Sequence, residues 1–222
     1  MNKLIVIEGT DCSGKQTQSD LLKLNLSCNG YNVFKTQFPM YDTPTGRIIG
    51  ECYLGKTRNG FFNEGATNVD PKVASLYYTA DRLYNIDVIK NNLKDNHVIL
   101  DRYIDSNLAH HGAKIIDRVE REEFYKFIET LEYELLQLPK PDIRILLYMP
   151  TEYAKTLKEG RQEIQDQHEA DEDYLKRAEN VYLEIAKRNN FFVINCVRDG
   201  KIRDIQDIQE ELLQLVIREL EV

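Results

Sequence analysis

Short apolar runs alternate along this chain with longer stretches in which apolar and polar residues mix at helical spacing. The apolar runs are rich in Ile, Leu and Val and end at glycine, proline or polar residues. This pattern is typical of strands that are buried on both faces of a parallel sheet. The predicted strands cover residues 4–7, 32–38, 98–100, 143–149 and 191–195.

Helices are predicted between these strands, because apolar residues recur there every three or four positions. Asp70 and Pro71 are suited to begin one of them, since aspartate caps the first amides and proline fits the first helical position. Thr151 is expected to cap another. The predicted helices cover residues 17–28, 70–94, 104–113, 119–138, 151–159, 171–188 and a tail over 202–215. Strands alternating with helices predict an α/β fold with a five-stranded parallel sheet flanked by helices.

A single domain over residues 1–222 is predicted. A chain of 222 residues lies in the range that α/β folds keep as one unit, and no repeat, low-complexity tract or linker divides it. The polar segment at about 158–170 has no apolar period and lies between two predicted helices. We therefore expect it to form a short lid within the domain.

Composition narrows the partners that this chain is expected to have. Apolar residues make up 42%, and the formal net charge is −8 with an isoelectric point of about 5.2. An acidic chain without a basic stripe is atypical of nucleic-acid binders, and no apolar run approaches the length of a membrane span. The four cysteines are scattered and lack the spacing of a zinc site, as in reducing compartments. We expect a cytoplasmic protein that binds neither nucleic acid nor membranes.

The most specific motif lies directly after the first predicted strand. It matches G-x-x-x-x-G-K and opens a predicted helix, which is the context that a phosphate-binding loop requires. Its glycines let backbone N–H groups converge on an anion, and the helix N-terminus adds positive charge. Lys15 can then reach the β- and γ-phosphates of a nucleotide. The predicted ATP-binding residues are Gly9, Thr10, Asp11, Cys12, Ser13, Gly14, Lys15, Gln16 and Thr17.

A Mg²⁺ ion is expected beside this loop, with Gln16 and Asp101 as predicted ligands. The motif expects Ser or Thr after the lysine, and here Gln16 takes that place. Its carbonyl oxygen suits Mg²⁺, but its longer stem leaves direct and water-mediated contact both open. Asp101 ends the third predicted strand, where ligands of open α/β sheets bind. Arg102 beside it can clamp phosphate oxygens, although an Asp-Arg pair alone can also be a surface ion pair.

These motifs together resemble those of the thymidylate kinases, a family of P-loop nucleoside monophosphate kinases. The resemblance runs from residue 7 to about residue 182 and implies the P-loop nucleotide kinase fold. It is carried by Glu8-Gly9-Thr10-Asp11 with Gly14-Lys15, by Phe38-Pro39 with Gly46 and Tyr53-Leu54, by residues 74–82, by Asp101-Arg102-Tyr103 with Ser106-Asn107, and by residues 138–142.

The resemblance implies a site for the acceptor nucleotide. Tyr78 would stack on the thymine ring, and Arg82 would hydrogen-bond the edge of the base. Asn107 lies where some bacterial members place an amide that pairs with the base. His110 takes a position, usually Tyr or Phe, that packs against the deoxyribose. The predicted substrate-binding residues are Phe38, Tyr78, Arg82, Arg102, Ser106, Asn107 and His110.

The resemblance also implies the catalytic residues. Lys15 and Arg102 would hold the phosphates, and Asp11 would lie near the acceptor sugar and the metal-bound waters. The phosphate loop lacks the arginine that some members carry, so Arg161 in the lid is expected to supply that cation. No arginine follows Phe-Pro, and Arg47 is a candidate to hold the acceptor phosphate instead.

The expected reaction is the ATP-dependent phosphorylation of dTMP to dTDP, with ATP as the phosphoryl donor and Mg²⁺ as the cofactor. Members of the family usually form homodimers through long helices, so a homodimer is expected, with the 70–94 helix as a candidate contact. Two alternatives stay open. The chain could be another nucleoside or nucleotide kinase of the same fold, or a non-catalytic nucleotide-binding member, which Gln16 alone favours.

Overall fold

A parallel sheet lies at the centre of the computed structural model, which describes residues 1–10, 12–56, 60–158 and 171–221. Its strands are β1 (Leu4–Gly9), β2 (Val33–Gln37), β3 (His97–Asp101), β4 (Ile143–Tyr148) and β5 (Phe192–Asn195). They pair in the order β2-β3-β1-β4-β5, and every pairing is parallel. The predicted five-stranded parallel sheet is therefore confirmed.

Helices connect the strands, and none in the described ranges has the length and apolar character that crossing a membrane requires. They are α1 (Lys15–Cys28), α2 (Pro44–Arg47), α3 (Pro71–Tyr84), α4 (Ile86–Asn92), α5 (Ile104–Gly112), α6 (Arg118–Glu129), α7 (Thr151–Lys158), α8 (Glu172–Arg188) and α9 (Ile205–Leu220). Two π-helical segments, π1 (Ile48–Tyr53) and π2 (Thr130–Leu135), follow α2 and α6. A small antiparallel ribbon pairs β6 (Val197–Arg198) with β7 (Lys201–Ile202).

Both faces of the sheet are covered by helices. Leu4 and Val6 of β1 pack in a core shared with α5, α6 and α8. Ile5 and Ile7 point the other way, into a core shared with α1 and α9. Successive side chains of a strand alternate between faces. A continuous apolar run is therefore what a central strand between two helical layers needs, as the sequence pattern indicated.

The predicted helix over 70–94 is wrong in its length, because it is two helices. Asp70 caps α3 as predicted, accepting hydrogen bonds from two amides of the first turn. At Asn85 the backbone leaves the helical region, with φ −101° and ψ 6°. The Asn85 side chain donates to the carbonyl oxygen of Asp81 at 2.9 Å. Asparagine competes with the helix in this way, so the chain turns and restarts as α4.

Two further helix predictions need correction. The α-helix predicted over 119–138 ends at Glu129 and continues as π2. Thr151 lies inside α7 instead of capping it, and its hydroxyl donates to Glu179 at 2.5 Å. The short elements α2, π1 and the β6–β7 ribbon were not predicted, because they contain too few residues to show a period.

Burial along α1 gives a matched pair of stability tests. Leu22 is 0% exposed and packs between the sheet and α9, whereas Leu24 is 58% exposed. Leu22→Ala should lower the free energy of unfolding by about 2–5 kcal/mol, because it leaves a cavity. Leu24→Ala should change it by less than about 0.5 kcal/mol. Urea unfolding followed by circular dichroism measures both, and equal losses would contradict the described packing of α1.

Candidate active site

The loop between β1 and α1 is shaped by two glycines. Gly14 has φ 79°, in the left-handed region that favours glycine. Gly9 has no room for a side chain, since a Cβ there would lie 2.7 Å from the carbonyl oxygen of Leu147. The first amides of α1 follow at once and lack partners within the helix. The loop therefore has the strand–loop–helix context in which backbone N–H groups bind phosphate.

Lys15 follows this loop as the first residue of α1 and is 8% exposed. Its Nζ donates to the carbonyl oxygen of Thr10 at 2.8 Å and lies 3.5 Å from the Oγ of Ser13. The Thr10 hydroxyl donates to the carbonyl oxygen of Met149 at 2.9 Å, which ties the loop to the end of β4. Gln16 and Thr17 are exposed on the first turn of α1. The arrangement holds an ammonium group beside the open helix N-terminus.

Asp101 is the last residue of β3, and Arg102 follows it directly. Both lie next to this loop. Asp101 pairs in register with Ile7 of β1, and the amide of Arg102 donates to the carbonyl oxygen of Ile7 at 3.0 Å. Arg102 has φ 67°, an uncommon conformation for a residue other than glycine. The carboxyl group of Asp101 is 8% exposed at the carboxyl edge of the sheet. The two motifs therefore meet at one sheet edge, as their positions after strands predicted.

A cavity that is open to solvent adjoins this edge. All seven predicted substrate-binding residues line it: Phe38, Tyr78, Arg82, Arg102, Ser106, Asn107 and His110. Pro39, Tyr41, Leu54, Tyr103 and His111 complete the lining. The lining combines aromatic rings with a few polar groups, the composition that small-molecule sites have. Residues from β2 to α5 are thus brought together, and their individual roles stay predictions.

The side chain of Arg102 is held by groups from α5 and α8. Its Nη1 donates to the hydroxyl of Tyr182 at 3.0 Å and lies 3.0 Å from the Nε2 of His110. The Nδ1 of His110 lies 3.2 Å from the hydroxyl of Tyr174, which donates to the His110 carbonyl oxygen at 3.0 Å. Because both tyrosines belong to α8, this helix sets the position of the arginine at the cavity.

Glu8 is a buried acid that contacts two residues of the cavity lining, Tyr103 and Ser106. The sequence interpretation gave it no role. It is 0% exposed and accepts hydrogen bonds from the amides of Tyr103 and Ser106, and from the hydroxyls of Ser106 and Tyr182. Burial, reinforced by the charge of Asp105, raises the pKa of Glu8 to about 7. A lone acid at the end of an otherwise apolar strand is the sequence signal that could have identified it.

Glu132 is a second buried acid that the sequence interpretation missed. Its carboxylate accepts from the Nε of Arg82 at 2.6 Å and from the Nη2 of Arg82 at 2.5 Å. Arg82 is 1% exposed and Glu132 is 0% exposed. The pair joins α3 to π2 over 50 positions of sequence. No local pattern points to such a partner, so only the folded chain identifies it.

Two of the described residues offer oxygen donors that suit the expected Mg²⁺ ion. Asp101 offers a carboxylate and Gln16 an amide oxygen, both hard donors that suit this ion. Among the described residues there is no group of three His, Cys, Asp or Glu side chains that could hold a metal. Mg²⁺ in nucleotide sites is commonly bound through one or two carboxylates together with substrate phosphates. The donors present fit that mode of binding.

Two expected residues, Asp11 and Arg161, lie outside the described residues, as does most of the predicted lid. Arg47, the candidate for the acceptor phosphate, has a side chain that is 64% exposed and pairs with Glu51 at 3.2 Å. It belongs to a surface depression formed by α2 and π1. The interpretation of Arg47 as an acceptor-phosphate ligand is therefore not supported.

A phosphate-binding loop, a strand-end Asp-Arg pair and a cavity lined by aromatic and polar side chains at one sheet edge define the class of P-loop nucleotide kinases. The model of one family, thymidylate kinase, matches residues 7–207. The chain belongs to the thymidylate kinase family, whose members are phosphotransferases.

Relatives and a solved structure agree with this assignment. A probable thymidylate kinase of Methanocaldococcus jannaschii is 34% identical over 96% of this chain and 94% of that protein. A thymidylate kinase of Sulfurihydrogenibium sp. is 33% identical over 90% of this chain and 91% of that protein. The structure of thymidylate kinase from Candida albicans has a TM-score of 0.73 and 24% identity, and covers 98% of this chain and 92% of that chain, which shows the shared fold.

The environment of Glu8 predicts a pH dependence of stability. Its pKa of about 7 lies above the ordinary 4.5, so the folded state binds more protons than the unfolded state between these values. The free energy of unfolding should therefore fall as pH rises through this window, by up to about 1.4 kcal/mol per pH unit. Urea unfolding at several pH values measures this slope.

Glu8→Gln is the matched comparison, because it keeps the shape of the side chain and removes its titration. The difference in the free energy of unfolding between the two proteins should change steadily across the window from pH 4.5 to 7. Parallel curves for the variant and the unaltered protein would show that Glu8 does not titrate there.

Proposed function

We propose that this chain transfers the γ-phosphoryl group of ATP to dTMP, with the acceptor in the described cavity. The observation that carries the proposal is the convergence of seven acceptor-site residues on one cavity beside a phosphate-binding loop. Direct transfer requires the γ-phosphate of the donor to lie next to the phosphate of the acceptor. The loop that binds the donor and the cavity that binds the acceptor must therefore lie at the same edge of the sheet. No covalent enzyme intermediate is needed.

The base is proposed to lie against Tyr78 and beside Arg82 and Asn107. Tyr78 belongs to an aromatic group, with the ring of His111 at 5.3 Å and that of Tyr53 at 5.9 Å between centroids. This packing would hold the Tyr78 ring as a stacking surface for the base. The arginine and the amide would then read the polar edge of the ring through hydrogen bonds.

The sugar is proposed to pack near His110, at the position that the family usually fills with Tyr or Phe. The ring of His110 lies 5.5 Å from that of Tyr182 and 6.3 Å from that of Tyr174, measured between centroids. These contacts and its hydrogen bonds would fix the imidazole. Because an imidazole can hydrogen-bond a hydroxyl, His110 would discriminate less strictly against a ribose 2′-hydroxyl than Tyr or Phe would.

Catalysis is proposed to rest on positioning and on charge stabilisation. Lys15 and the loop amides would hold the donor phosphates, and Arg102 would bridge donor and acceptor phosphates. Asp11 would lie near the acceptor sugar. Arg161, in a lid over about 158–170 of a single domain, would add the cation that the loop lacks. Lid closure would keep water from the γ-phosphate.

Three further features belong to the proposal. Mg²⁺, held by Asp101 and by Gln16 directly or through water, would neutralise phosphate charge during transfer. The chain would act as a homodimer. It would work in the cytoplasm, on the small molecules ATP and dTMP, without nucleic-acid or membrane partners.

The acceptor panel tests the proposal directly. ADP release is measured with ATP, Mg²⁺ and one acceptor at a time: dTMP, dUMP, UMP, CMP, AMP or thymidine. We expect fast turnover with dTMP and little with the ribonucleotides. Preference for thymidine would indicate a nucleoside kinase instead. ATP binding without turnover on any acceptor would indicate a non-catalytic member.

Lys15 gives a test of the donor site. Lys15→Ala should lower kcat by at least about 100-fold, because a preorganised cation at the transferred group is lost. Lys23→Ala is the matched control, since Lys23 is exposed on the same helix. Circular dichroism checks that both variants fold. Near-normal turnover by Lys15→Ala would show that the donor phosphates bind elsewhere.

A further inference from the structure

Glu132 lies beneath the acceptor cavity and binds two of the residues that line it. Its Oε1 accepts from the Nη2 of Arg82 at 2.5 Å, from the Nδ2 of Asn107 at 3.2 Å and from the hydroxyl of Thr79 at 2.8 Å. Its Oε2 accepts from the Nε of Arg82 at 2.6 Å. One carboxylate therefore holds both polar groups that are proposed to face the base.

The local backbone supports a specific role for this residue. Glu132 lies in π2, and π-helical turns are rare and frequently mark functional sites. Of the six residues of π2, Glu132 alone is buried. Leu135, by contrast, is 72% exposed. The segment therefore buries its acid more completely than Leu135 at its end, which is unusual for a charged side chain and indicates that the contacts of the acid matter here.

These contacts determine which way the amide of Asn107 points. Its Nδ2 donates to Glu132 and to the carbonyl oxygen of Ser75, each at 3.2 Å. Both partners are acceptors, so the NH₂ group must face them. Among the described residues no donor reaches the Oδ1 of Asn107, and Asn107 lines the cavity. The amide therefore presents an acceptor to the cavity.

Arg82 presents the opposite polarity. Its Nε and Nη2 are engaged by Glu132, and its Nη1 lies 3.5 Å from the carbonyl oxygen of Tyr103. A guanidinium carries five N–H donors and no acceptor. Since Arg82 also lines the cavity, its remaining N–H groups offer donors beside the acceptor of Asn107.

We propose that Glu132 is a positioning residue that determines base specificity by fixing this acceptor–donor pair. The pattern matches a pyrimidine with an N3–H donor and an O4 acceptor, as in thymine and uracil. Cytosine carries an N3 acceptor and an amino donor at C4, so both groups would be mismatched. The inference rests on the proposed function and adds to it a residue that makes no contact with the substrate.

Glu132→Gln tests this role while keeping the shape of the side chain. One of the two acceptor oxygens would become an N–H₂ group that faces the donors of Arg82 or Asn107. The pair would lose part of its support, and for Asn107 the carbonyl oxygen of Ser75 would be the main remaining restraint. We expect KM for dTMP to rise about tenfold with kcat changed less than about threefold. The preference for dTMP over dCMP, as a ratio of kcat/KM, should fall by about tenfold or more. An unchanged ratio in the folded variant would overturn the proposal.

Two control variants separate base recognition from a purely structural effect. Thr79→Val removes a donor to Glu132 without touching Arg82 or Asn107. Glu184→Gln makes the same chemical change in a pair with Arg121 that does not line the cavity. Both should keep the preference for dTMP over dCMP. If either loses it as fully as Glu132→Gln does, loosening of the fold would explain the effect and the proposal would fail.

A measurement on the unaltered protein covers the case in which Glu132→Gln does not fold. N3-methyl-dTMP cannot donate a hydrogen bond from N3, whereas dUMP can. As an inhibitor of dTMP phosphorylation, N3-methyl-dTMP should therefore have an inhibition constant at least about tenfold higher than that of dUMP. Equal binding of the two nucleotides would show that Asn107 presents no acceptor and would overturn the proposal. Absence of dTMP phosphorylation by the unaltered protein would instead refute the proposed function itself.

Discussion

The parallel pairing of β1 with β3 is the constraint on which the rest of the site depends. Ile7 and Asp101 are partners in register, and the amide of Arg102 continues the ladder onto Ile7. Parallel strands end at the same edge of a sheet. This pairing alone therefore brings the phosphate loop after β1 next to the Asp-Arg pair after β3. Two helical layers bury alternate residues of β1 on both faces and hold that register, because a shift by one residue would exchange the two apolar sets.

Two fully buried acids organise the cavity that adjoins this edge. Transfer of a carboxylate from water into a protein interior is unfavourable unless donors surround it. Glu132 meets this requirement through Arg82 and Asn107. Glu8 accepts hydrogen bonds from Tyr103 and Ser106, but burial still raises its pKa to about 7. All four partners line the cavity, so the two buried acids hold side chains of its wall in defined orientations.

The motifs and the family resemblance identified the residues that line the cavity better than they identified the contacts that position them. Tyr78 and Arg82 lie four positions apart on α3, and Ser106, Asn107 and His110 share α5, so helical spacing alone places each set on one side of its helix. The interpretation of Arg47 is not supported, because its side chain is exposed and pairs with Glu51, an i,i+4 pairing that the spacing of the two charges allows. The break at Asn85 was missed because the competing hydrogen bonds of that side chain depend on the local backbone.

By itself the sequence determined the class of fold and the phosphate loop, and its resemblance to the family indicated the side chains that line the cavity. The first two follow from periods and spacings within a few residues, which short-range sterics and burial impose on any chain. Only the tertiary structure decided that Glu8 supports Ser106 across 98 positions and that Glu132 supports Arg82 across 50. Such pairings are settled when whole elements pack, because a buried charge is satisfied by whichever donors the fold brings to it and not by its neighbours in sequence.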